Sequence, residues 1–348
     1  MWSDKLKYLG LVKVLKKKSF HKKNSFYTDI YVRPLSRFLE VIKTFLRSRT
    51  NWLSGKNSKK YYLDSDFKKW ECSCIPEISS VNPIVTWIGQ ATFLIQIGGV
   101  NILTDPIFSD LMYFYPRNFA PGIALSDLPK IDFILISHNH QDHMEKKALL
   151  KLKKDNPTIL VPHGNKMWFD KNGFENVIEK DWWEEEVFEQ IKFTFLPAVH
   201  WAGNNLFKID KSLWGSWMIE FAGFKTYFAG DSAYAKHFSE IGNKFNSIDL
   251  VLMPIAPCQP RDLVKHSHID TQEAIQAFLD LKAKNFIPMH WGTFRVGADK
   301  FDEPIKKLKK HWSEKEEFLK NQKLHIIKFG EQVKFELDLQ AKQLCYCE

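Results

Sequence analysis

Four potential metal ligands lie within six residues, in the run H-x-H-x-D-H formed by His138, His140, Asp142 and His143. The run directly follows the apolar segment Phe133–Ser137, which predicts a buried strand. Imidazoles suit zinc and a carboxylate can join them, but four ligands this close in sequence cannot all reach one tetrahedral ion. The spacing therefore indicates a catalytic site that shares its ligands between two metal ions, on a loop held by a rigid strand.

Two ions need more ligands, and three further candidates stand at the ends of predicted strands. His200 follows the run 191–198, Asp231 follows Tyr227–Gly230, and His290 follows the run 286–289. A carboxylate can bridge two cations because it has two oxygens and a full negative charge, so we assign that role to Asp231. One ion would be held by His138, His140, His200 and Asp231, and the other by Asp142, His143, Asp231 and His290.

Strands and helices alternate along the part of the chain that must position these ligands. Three β-branched and aromatic runs between residues 84 and 103, punctuated by glycines, predict an antiparallel meander. An Asp270–Glu273 capping box predicts the start of a helix at about residue 271. Two apolar runs at 324–328 and 332–337 predict a final hairpin. The order of elements predicts an α/β fold of two mixed sheets with helices outside, which is a four-layer αβ/βα sandwich.

The net charge of +9 is spread unevenly over the 348 residues. Residues 1–60 hold 16 Lys or Arg and 3 Asp or Glu, whereas the remainder holds 34 basic and 38 acidic residues. We therefore divide the chain into a basic, partly helical extension at 1–75 and a catalytic domain at 76–348. A segment this basic favours an anionic partner, either nucleic acid or lipid headgroups.

The basic extension contains apolar residues at helical spacing between Leu35 and Leu46, with Pro34 suited to the first turn of a helix. A basic amphipathic helix of this kind suits a membrane surface. Packing of the same apolar face against the main domain is the alternative. No recognisable nucleic-acid motif is interleaved with the basic residues, which argues against nucleic acid as the partner. The sequence leaves open whether the chain forms a homodimer.

Two features of the sequence indicate the cellular compartment: it has five cysteines, and it lacks a long apolar run. Cys72 and Cys74 form one closely spaced pair, and Cys345 and Cys347 form another. An odd count in a long chain argues against a disulfide framework and favours free thiols in a reducing compartment. No run approaches the length needed to span a bilayer. We expect a cytoplasmic location with peripheral association with membrane.

The ligand pattern is that of the metallo-β-lactamase superfamily, and the chain resembles the N-acylphosphatidylethanolamine-hydrolysing phospholipase D family from about residue 80 to about residue 310. The pattern H-x-H-x-D-H specifies only the superfamily. The Leu213–Trp217 and His290–Phe294 segments are more specific, because they resemble this one family. The matching segments occur in the same order and are Trp87–Gly89, Thr104–Ser109, Ile136–His140, Asp181–Glu185, His200–Trp201, Leu213–Trp217, Phe228–Asp231, His268–Asp270 and His290–Phe294.

The resemblance implies an αβ/βα fold, two zinc ions, and cleavage of N-acylated phosphatidylethanolamine to phosphatidic acid and an N-acylethanolamine. It implies the same seven ligands that the residues suggest, and it places the family's histidine of the His-x-Asp segment at His268. Some positions depart from the family. Gln90 stands where many relatives have His, and the residues before His268, including Lys265 and His266, also differ. His163 lies in a segment where no ligand is expected.

The predicted chemistry is attack of an activated water on phosphorus, with both ions stabilising the charge on the phosphoryl oxygens. We predict catalytic roles for Asp231, Asp142 and His268, the last as the proton donor to the leaving alkoxide. A loop-holding role for His268 is the alternative. Asp105 is expected to orient a ligand histidine. A lactonase, a nuclease and a non-catalytic zinc protein at a membrane surface are the competing functions.

Overall fold

The computed structural model describes residues 67–72, 74–111, 116–203 and 210–337, together with the backbone of residues 20–22 and 25–27. The predicted helix at 35–46 and the cysteines at 345 and 347 lie outside the described residues. Within these ranges, no helix combines the length and the apolar character that crossing a membrane requires. Near the N-terminus, β1 (Phe20–Lys22) pairs antiparallel with β2 (Ser25–Tyr27).

The first large sheet carries the H-x-H-x-D-H run. Its spatial order is β16 (Gln332–Lys334), β3 (Ile84–Gly89), β4 (Thr92–Ile97), β5 (Val100–Thr104), β6 (Phe133–Leu135), β7 (Thr158–Pro162) and β8 (Val177–Lys180). The pairs from β16 to β5 are antiparallel, which confirms the predicted meander, and those from β5 to β8 are parallel.

The second large sheet carries the remaining ligands. Its spatial order is β15 (Lys323–Leu324), β14 (Ala283–Met289), β13 (Ile248–Pro254), β12 (Phe224–Phe228), β11 (Ser216–Phe221), β10 (Ile191–Leu196) and β9 (Glu185–Phe188). The pairs from β9 to β12 are antiparallel and those from β12 to β15 are parallel. Both sheets are therefore mixed, as predicted.

Helices cover the outer faces of the two sheets. They are α1 (Lys146–Leu152), α2 (Lys166–Lys171), α3 (His237–Phe245), α4 (Arg261–Val264), α5 (Thr271–Asp280) and α6 (Glu303–Ser313). The predicted capping box opens α5, because the side chain of Asp270 accepts hydrogen bonds from the backbone N–H groups of Gln272 and Glu273. Satisfying these N–H groups fixes the start of the helix.

Two apolar cores fill the spaces between the four layers. The larger core joins both sheets with α3, α5 and α6, and it includes Trp87, Phe195, Trp217 and Phe278. The smaller core lies between the first sheet and α1 and α2, and it includes Leu149 and Phe169. Removal of this apolar surface from water is the main force that holds the sheets face to face. The result is the αβ/βα sandwich that the order of elements predicts.

The predicted C-terminal hairpin is wrong. The two segments do form strands, but β15 pairs with β14 in the second sheet and β16 pairs with β3 in the first. Sequence proximity suggested a hairpin, whereas each segment instead completes the edge of a different sheet. The edge strands β8 and β9 were also not predicted, since both contain charged residues and are only partly buried.

Candidate metal centre

All seven predicted ligands follow the carboxyl ends of strands, and the structure brings them together at one edge of the sandwich. His138, His140, Asp142 and His143 follow β6, His200 follows β10, Asp231 follows β12, and His290 follows β14. The carboxyl ends of β6, β12 and β14 supply ligands from both sheets, so the site forms only when the two sheets pack together. Rigid strands thereby fix the positions of ligands that are far apart in sequence.

Three histidines form the first group of ligands, and their ring nitrogens lie close enough to bind one ion. His138 Nε2 lies 2.8 Å from His140 Nδ1, and His200 Nε2 lies 3.2 Å from the same atom. The carboxylate oxygen Asp231 Oδ2 lies 3.7 Å from His200 Nε2 and 4.0 Å from His138 Nε2. The first predicted ligand set is thus assembled.

Asp142, His143 and His290 form the second group. Asp142 Oδ2 lies 3.4 Å from both His143 Nε2 and His290 Nε2, and these two nitrogens are 3.2 Å apart. Asp231 reaches this group with both oxygens, since Oδ2 lies 3.3 Å from His143 Nε2 and Oδ1 lies 3.2 Å from His290 Nε2. The carboxylate of Asp231 therefore stands between the two groups.

Divalent ions fit these residues. Ligand atoms about 2.0–2.1 Å from a tetrahedral zinc ion lie roughly 3.3 Å from one another, which is close to the separations in the second group. Asp231 Oδ1 is buried and, among the described residues, has no hydrogen-bond partner. A buried carboxylate oxygen without a partner costs free energy unless a cation or a proton binds it. The donor set therefore suits two divalent ions.

Electrostatics point to the same conclusion. Burial lowers the pKa of His140 to about 4 and that of His200 to about 3, so both rings are neutral and keep a lone pair for an ion. Burial also lowers the pKa of His290, but Asp231 and Asp142 outweigh it and raise that pKa to about 9. Burial disfavours ionised Asp231, yet His290 and His143 hold its pKa well below its usual range. The carboxylates thus retain the negative charge that cations require.

Comparison with known proteins places the chain in a family. Residues 100–291, more than half of the chain, match the Beta-lactamase superfamily domain. The chain is 32% identical over 309 residues to "N-acyl-phosphatidylethanolamine-hydrolyzing phospholipase D 1" of Caenorhabditis elegans, a match that covers 84% of this chain and 86% of the relative. The chain belongs to the N-acylphosphatidylethanolamine-hydrolysing phospholipase D family of the metallo-β-lactamase superfamily.

A second relative agrees with this membership, and a solved structure agrees with the fold. The mitochondrial enzyme of the same name from Saccharomyces cerevisiae is 37% identical over 235 residues, which cover 64% of this chain and 50% of the yeast protein. The chain therefore spans half the length of that relative. Igni18, a metallo hydrolase from Ignicoccus hospitalis, superposes with a TM-score of 0.57 at 23% identity, over 73% of this chain and 99% of that protein. As a member of this phospholipase D family, the chain is a metal-dependent hydrolase.

A buried carboxylate orients the ligand histidines of this phospholipase D family member. Asp105 Oδ2 lies 2.7 Å from His143 Nδ1 and accepts a hydrogen bond of 2.5 Å from Ser137 Oγ. The hydroxyl of Ser137 in turn lies 2.8 Å from His138 Nδ1. Asp105 thus contacts one ligand histidine directly and reaches a second through Ser137, which is the arrangement that fixes ring orientation in metal sites.

The Leu213–Trp217 segment supports the candidate ligands and, among the described residues, supplies no member of the groups that could hold a metal ion. Trp217 Nε1 donates a hydrogen bond of 2.9 Å to the carbonyl oxygen of Ile136, just before His138. Trp214 Nε1 donates a hydrogen bond of 3.2 Å to the carbonyl oxygen of Ala198, just before His200. Both indoles are buried and use their N–H groups to tie ligand loops to the second sheet.

His268 stands at the edge of the ligand cluster. Its side chain is 17% exposed, whereas that of Asp231 is 2% exposed, and its Nδ1 lies 3.8 Å from Asp231 Oδ2. Its ring centroid is 5.1 Å from that of His200 and 5.8 Å from that of His290. Arg261 Nη1 donates a hydrogen bond of 2.8 Å to the carbonyl oxygen of His268, which anchors the residue just before the cap of α5. The structure therefore brings His268 to the open side of the site.

Other histidines and cysteines lie away from the cluster. The side chain of His163 is 52% exposed and its Nδ1 lies 3.2 Å from Glu179 Oε2. Cys72, Cys74 and Cys258 are free thiols, and none belongs to a group of potential ligands among the described residues.

Sequence reasoning did not assign a role to Gln90 or to the backbone at Ser267. The carbonyl oxygen of Ser267 lies 2.8 Å from His200 Nδ1 and fixes that ring. Gln90 Nε2 lies 2.8 Å from Asp142 Oδ2. A backbone carbonyl leaves no trace in a sequence, so the first contact had no detectable signal. For the contact between Gln90 and Asp142, the only signal in the sequence was that Gln90 departs from the family pattern.

Proposed function

We propose that the chain is a two-zinc phosphodiesterase of the phospholipase D type that hydrolyses N-acylphosphatidylethanolamine, or a related glycerophospholipid, to phosphatidic acid and an N-acylethanolamine. The observation that carries the proposal is the position of Asp231 between two groups of three ligands. Paired ions suit in-line displacement at phosphorus because they can stabilise both the attacking and the leaving oxygen. The lipid substrate is proposed from the names of the yeast and nematode relatives.

Bound zinc ions would supply Lewis acidity and lower the pKa of a water molecule at the site. The chain's own residues then have separate tasks. Asp231 and Asp142 hold negative charge at fixed positions, and Asp105 keeps the rings of His143 and His138 oriented. Fixed ligands need no reorganisation as charge develops on the phosphoryl group, and this lowers the barrier.

We assign to His268, as an imidazolium, the transfer of a proton to the leaving ethanolamine oxygen, which leaves a neutral ring. Burial lowers the pKa of the free ring to about 3, so the role requires the anionic phosphate of the bound substrate to raise that pKa. The residue lies on the open side of the ligand cluster, close to Asp231 but more exposed than it is. A proton donor must lie within hydrogen-bond reach of the leaving oxygen, and a side chain at the edge of the cluster can meet a substrate there. The alternative, a residue that only holds its loop, predicts no specific effect on turnover.

A small depression of about 50 Å³ lies beside His290. Its walls include Pro257, Trp291, Phe294 and Phe301, and Lys300 adds a basic side chain that suits the phosphate of the headgroup. The volume is too small for acyl chains, which would stay outside the depression. Peripheral membrane association through the basic segment at 1–60 is part of the proposal, since a diacyl lipid must be drawn from a bilayer.

Hydrolysis in ¹⁸O-labelled water tests the proposed reaction. The zinc-loaded protein is incubated with N-acylphosphatidylethanolamine in mixed micelles, and both products are identified by mass spectrometry. We expect one ¹⁸O atom in the phosphate of phosphatidic acid and none in the N-acylethanolamine, because water attacks phosphorus and the ethanolamine oxygen leaves. An intact lipid, with cleavage of a lactone or of RNA under the same conditions, would instead assign the site to one of the competing hydrolase functions.

A further inference from the structure

We propose that Gln90 is a positioning residue for the second ion, and that its carboxamide N–H holds the carboxylate of Asp142 in place. The residue lies in the turn between β3 and β4, far in sequence from every ligand. The proposal rests on the two-ion site but is independent of the lipid substrate.

The backbone of Gln90 is fixed from three sides. Its N–H donates a hydrogen bond of 2.6 Å to Thr293 Oγ1, and its carbonyl oxygen accepts hydrogen bonds from Trp87 Nε1 at 3.0 Å and from His290 N at 3.1 Å. The φ angle of 51° is one that residues other than glycine adopt only when their surroundings impose it. Gln90 is therefore tied directly to the backbone of His290, a ligand of the second group.

The side chain of Gln90 lies inside the second group of ligands. The residue is 1% exposed, and its Nε2 lies 2.8 Å from Asp142 Oδ2 and 2.9 Å from His290 Nε2. Its Oε1 is buried and, within the described part of the chain, has no hydrogen-bond partner. A buried amide with one unsatisfied atom costs free energy, so it is expected where the contact of the other atom serves the site.

Asp142 needs such a contact more than the other ligand carboxylate does. Its side chain is 16% exposed, compared with 2% for Asp231. Among the described residues, Gln90 is the one side chain outside the ligand set that donates a hydrogen bond to the Asp142 carboxylate. Gln90 thus contacts Asp142 as Asp105 contacts His143, through a hydrogen bond to one ligand.

An ion in the second group would affect the two contacts of Gln90 differently. A neutral imidazole nitrogen has one lone pair, so His290 Nε2 cannot bind an ion and also accept a hydrogen bond from the amide. A carboxylate oxygen has more than one acceptor position, so Asp142 Oδ2 can do both. Loss of the amide should therefore weaken the second ion while leaving the first group of histidines unchanged.

Competition with a chelator measures this effect separately for each ion. The zinc-loaded protein is titrated, and an Asp142→Asn variant identifies which of the two dissociation constants belongs to the second ion. In Gln90→Leu we expect that constant to rise about tenfold to a hundredfold, the usual effect of removing a residue that orients a metal ligand, and the other constant to stay unchanged. Gln90→His, which offers a ring N–H donor, should restore most of the affinity.

Gln96→Leu is the matched control. Gln96 is a buried glutamine of β4 whose Nε2 donates hydrogen bonds to the carbonyl oxygen of Glu77 and to Asn101 Oδ1, away from the ligands. Its replacement should lower the free energy of unfolding and leave both dissociation constants unchanged. Gln90→Asn, which keeps the amide but is one methylene shorter, covers the case in which Gln90→Leu fails to fold, and it should also weaken the second ion.

Three results would overturn the assignment. They are unchanged ion affinity in a folded Gln90→Leu or Gln90→Asn protein, equal weakening of both ions, and the same weakening in Gln96→Leu. A parent protein that binds a single ion would overturn the two-ion proposal together with this one. If the parent binds two ions and the Gln90 variants do not differ from it, only the role of Gln90 fails.

Discussion

Asp231 is the residue on which the paired arrangement depends, because its two oxygens face different ligands. Oδ1 lies 3.2 Å from His290 Nε2, while Oδ2 lies within 4.0 Å of both His138 and His143. Neutral imidazoles alone could hold an ion in the first group. Only a carboxylate in this position adds the negative charge that lets two cations lie close together.

Asp231→Asn should therefore lose the paired site. The amide keeps the size of the side chain but removes its charge and one acceptor oxygen, so we expect about one zinc ion per chain and activity reduced by at least about a hundredfold, as when metal ligation fails. Elemental analysis and a turnover assay measure both quantities. Asp249→Asn, which alters a carboxylate that pairs with Lys284 away from the site, should keep both ions. Two bound ions with full activity in Asp231→Asn would refute the assignment.

His268→Ala should separate proton transfer from a structural role. We expect kcat to fall about a hundredfold to ten-thousandfold, the range for losing a general acid, while both zinc ions remain bound. His325→Ala is the control, since His325 is partly buried against Asn285 and lies outside the site. Loss of zinc from His268→Ala, with a kcat that scales with the remaining metal, would favour the loop-holding role.

The sequence indicated the candidate ligands better than their surroundings. His138, His140, Asp142 and His143 were candidates because potential ligands cluster on one short loop, and His200, Asp231 and His290 because each follows an apolar strand; the structure brings these seven residues together. The contacts of Gln90 with Asp142 depend on a turn that brings residue 90 to residue 142, and no local pattern encodes that distance. Residues that orient ligands from another element therefore become visible only in three dimensions.

At the scale of the elements, glycine sets how closely β12 and β6 approach. Gly230 precedes Asp231 and has φ +57°, and a Cβ there would lie 2.6 Å from Ser137 Cβ and 2.9 Å from the carbonyl oxygen of Gly215. A side chain at this position would thus push the Asp231 loop away from the residue that precedes His138. The spacing between the two ligand loops depends on this contact.

Gly230→Ala should lower the free energy of unfolding by more than backbone strain alone would. Gly99 has φ +83°, and a Cβ added there would meet no atom within 4 Å, so Gly99→Ala reports the strain by itself, about 1–2 kcal/mol. We expect Gly230→Ala to lower the free energy of unfolding of the ion-free protein by more than this and to reduce zinc content. Urea unfolding and elemental analysis measure the two effects. If the two variants lose the same free energy of unfolding and zinc content is intact, the contact with Ser137 is unimportant.

The elements that were predicted correctly share strong local signals. The run Ile84–Gly89 is β-branched and aromatic, and α5 has a complete capping box. The strands that were missed or paired wrongly lie at sheet edges, where the side chains are only partly buried and the partner strand can be distant in sequence. β15 and β16 are adjacent in sequence but complete different sheets, an outcome that depends on the packing of the whole sandwich.

At the scale of the whole molecule, charge is separated along the chain. Residues 1–60 contain 16 Lys or Arg, and the remainder is slightly acidic. The catalytic body alone would therefore gain little from an anionic lipid surface. The basic segment supplies the attraction in the proposed membrane association, and its division from the body at residue 75 stays a prediction.

Replacing Lys16, Lys17 and Lys18 by Gln should weaken binding to phosphatidylserine-containing vesicles. Each Lys near such a surface contributes about 1 kcal/mol, so the loss should be on the order of a hundredfold in the partition coefficient at low salt. Vesicle sedimentation measures it. Replacing the exposed Lys147, Lys151 and Lys154 of the catalytic body by Gln removes the same charge and should have little effect. Equal losses in the two triple variants would show that net charge, and not the N-terminal segment, governs binding.

Under the proposed function, two zinc ions act together to make this chain a lipid phosphodiesterase. Zinc removed by a chelator is added back in steps, and hydrolysis of N-acylphosphatidylethanolamine is measured against the zinc content of the same samples. We predict that N-acylethanolamine appears only as the zinc content rises from about one to about two ions per chain, because both ions act on one phosphoryl group. Full activity at one ion per chain, or none at two, would contradict the account.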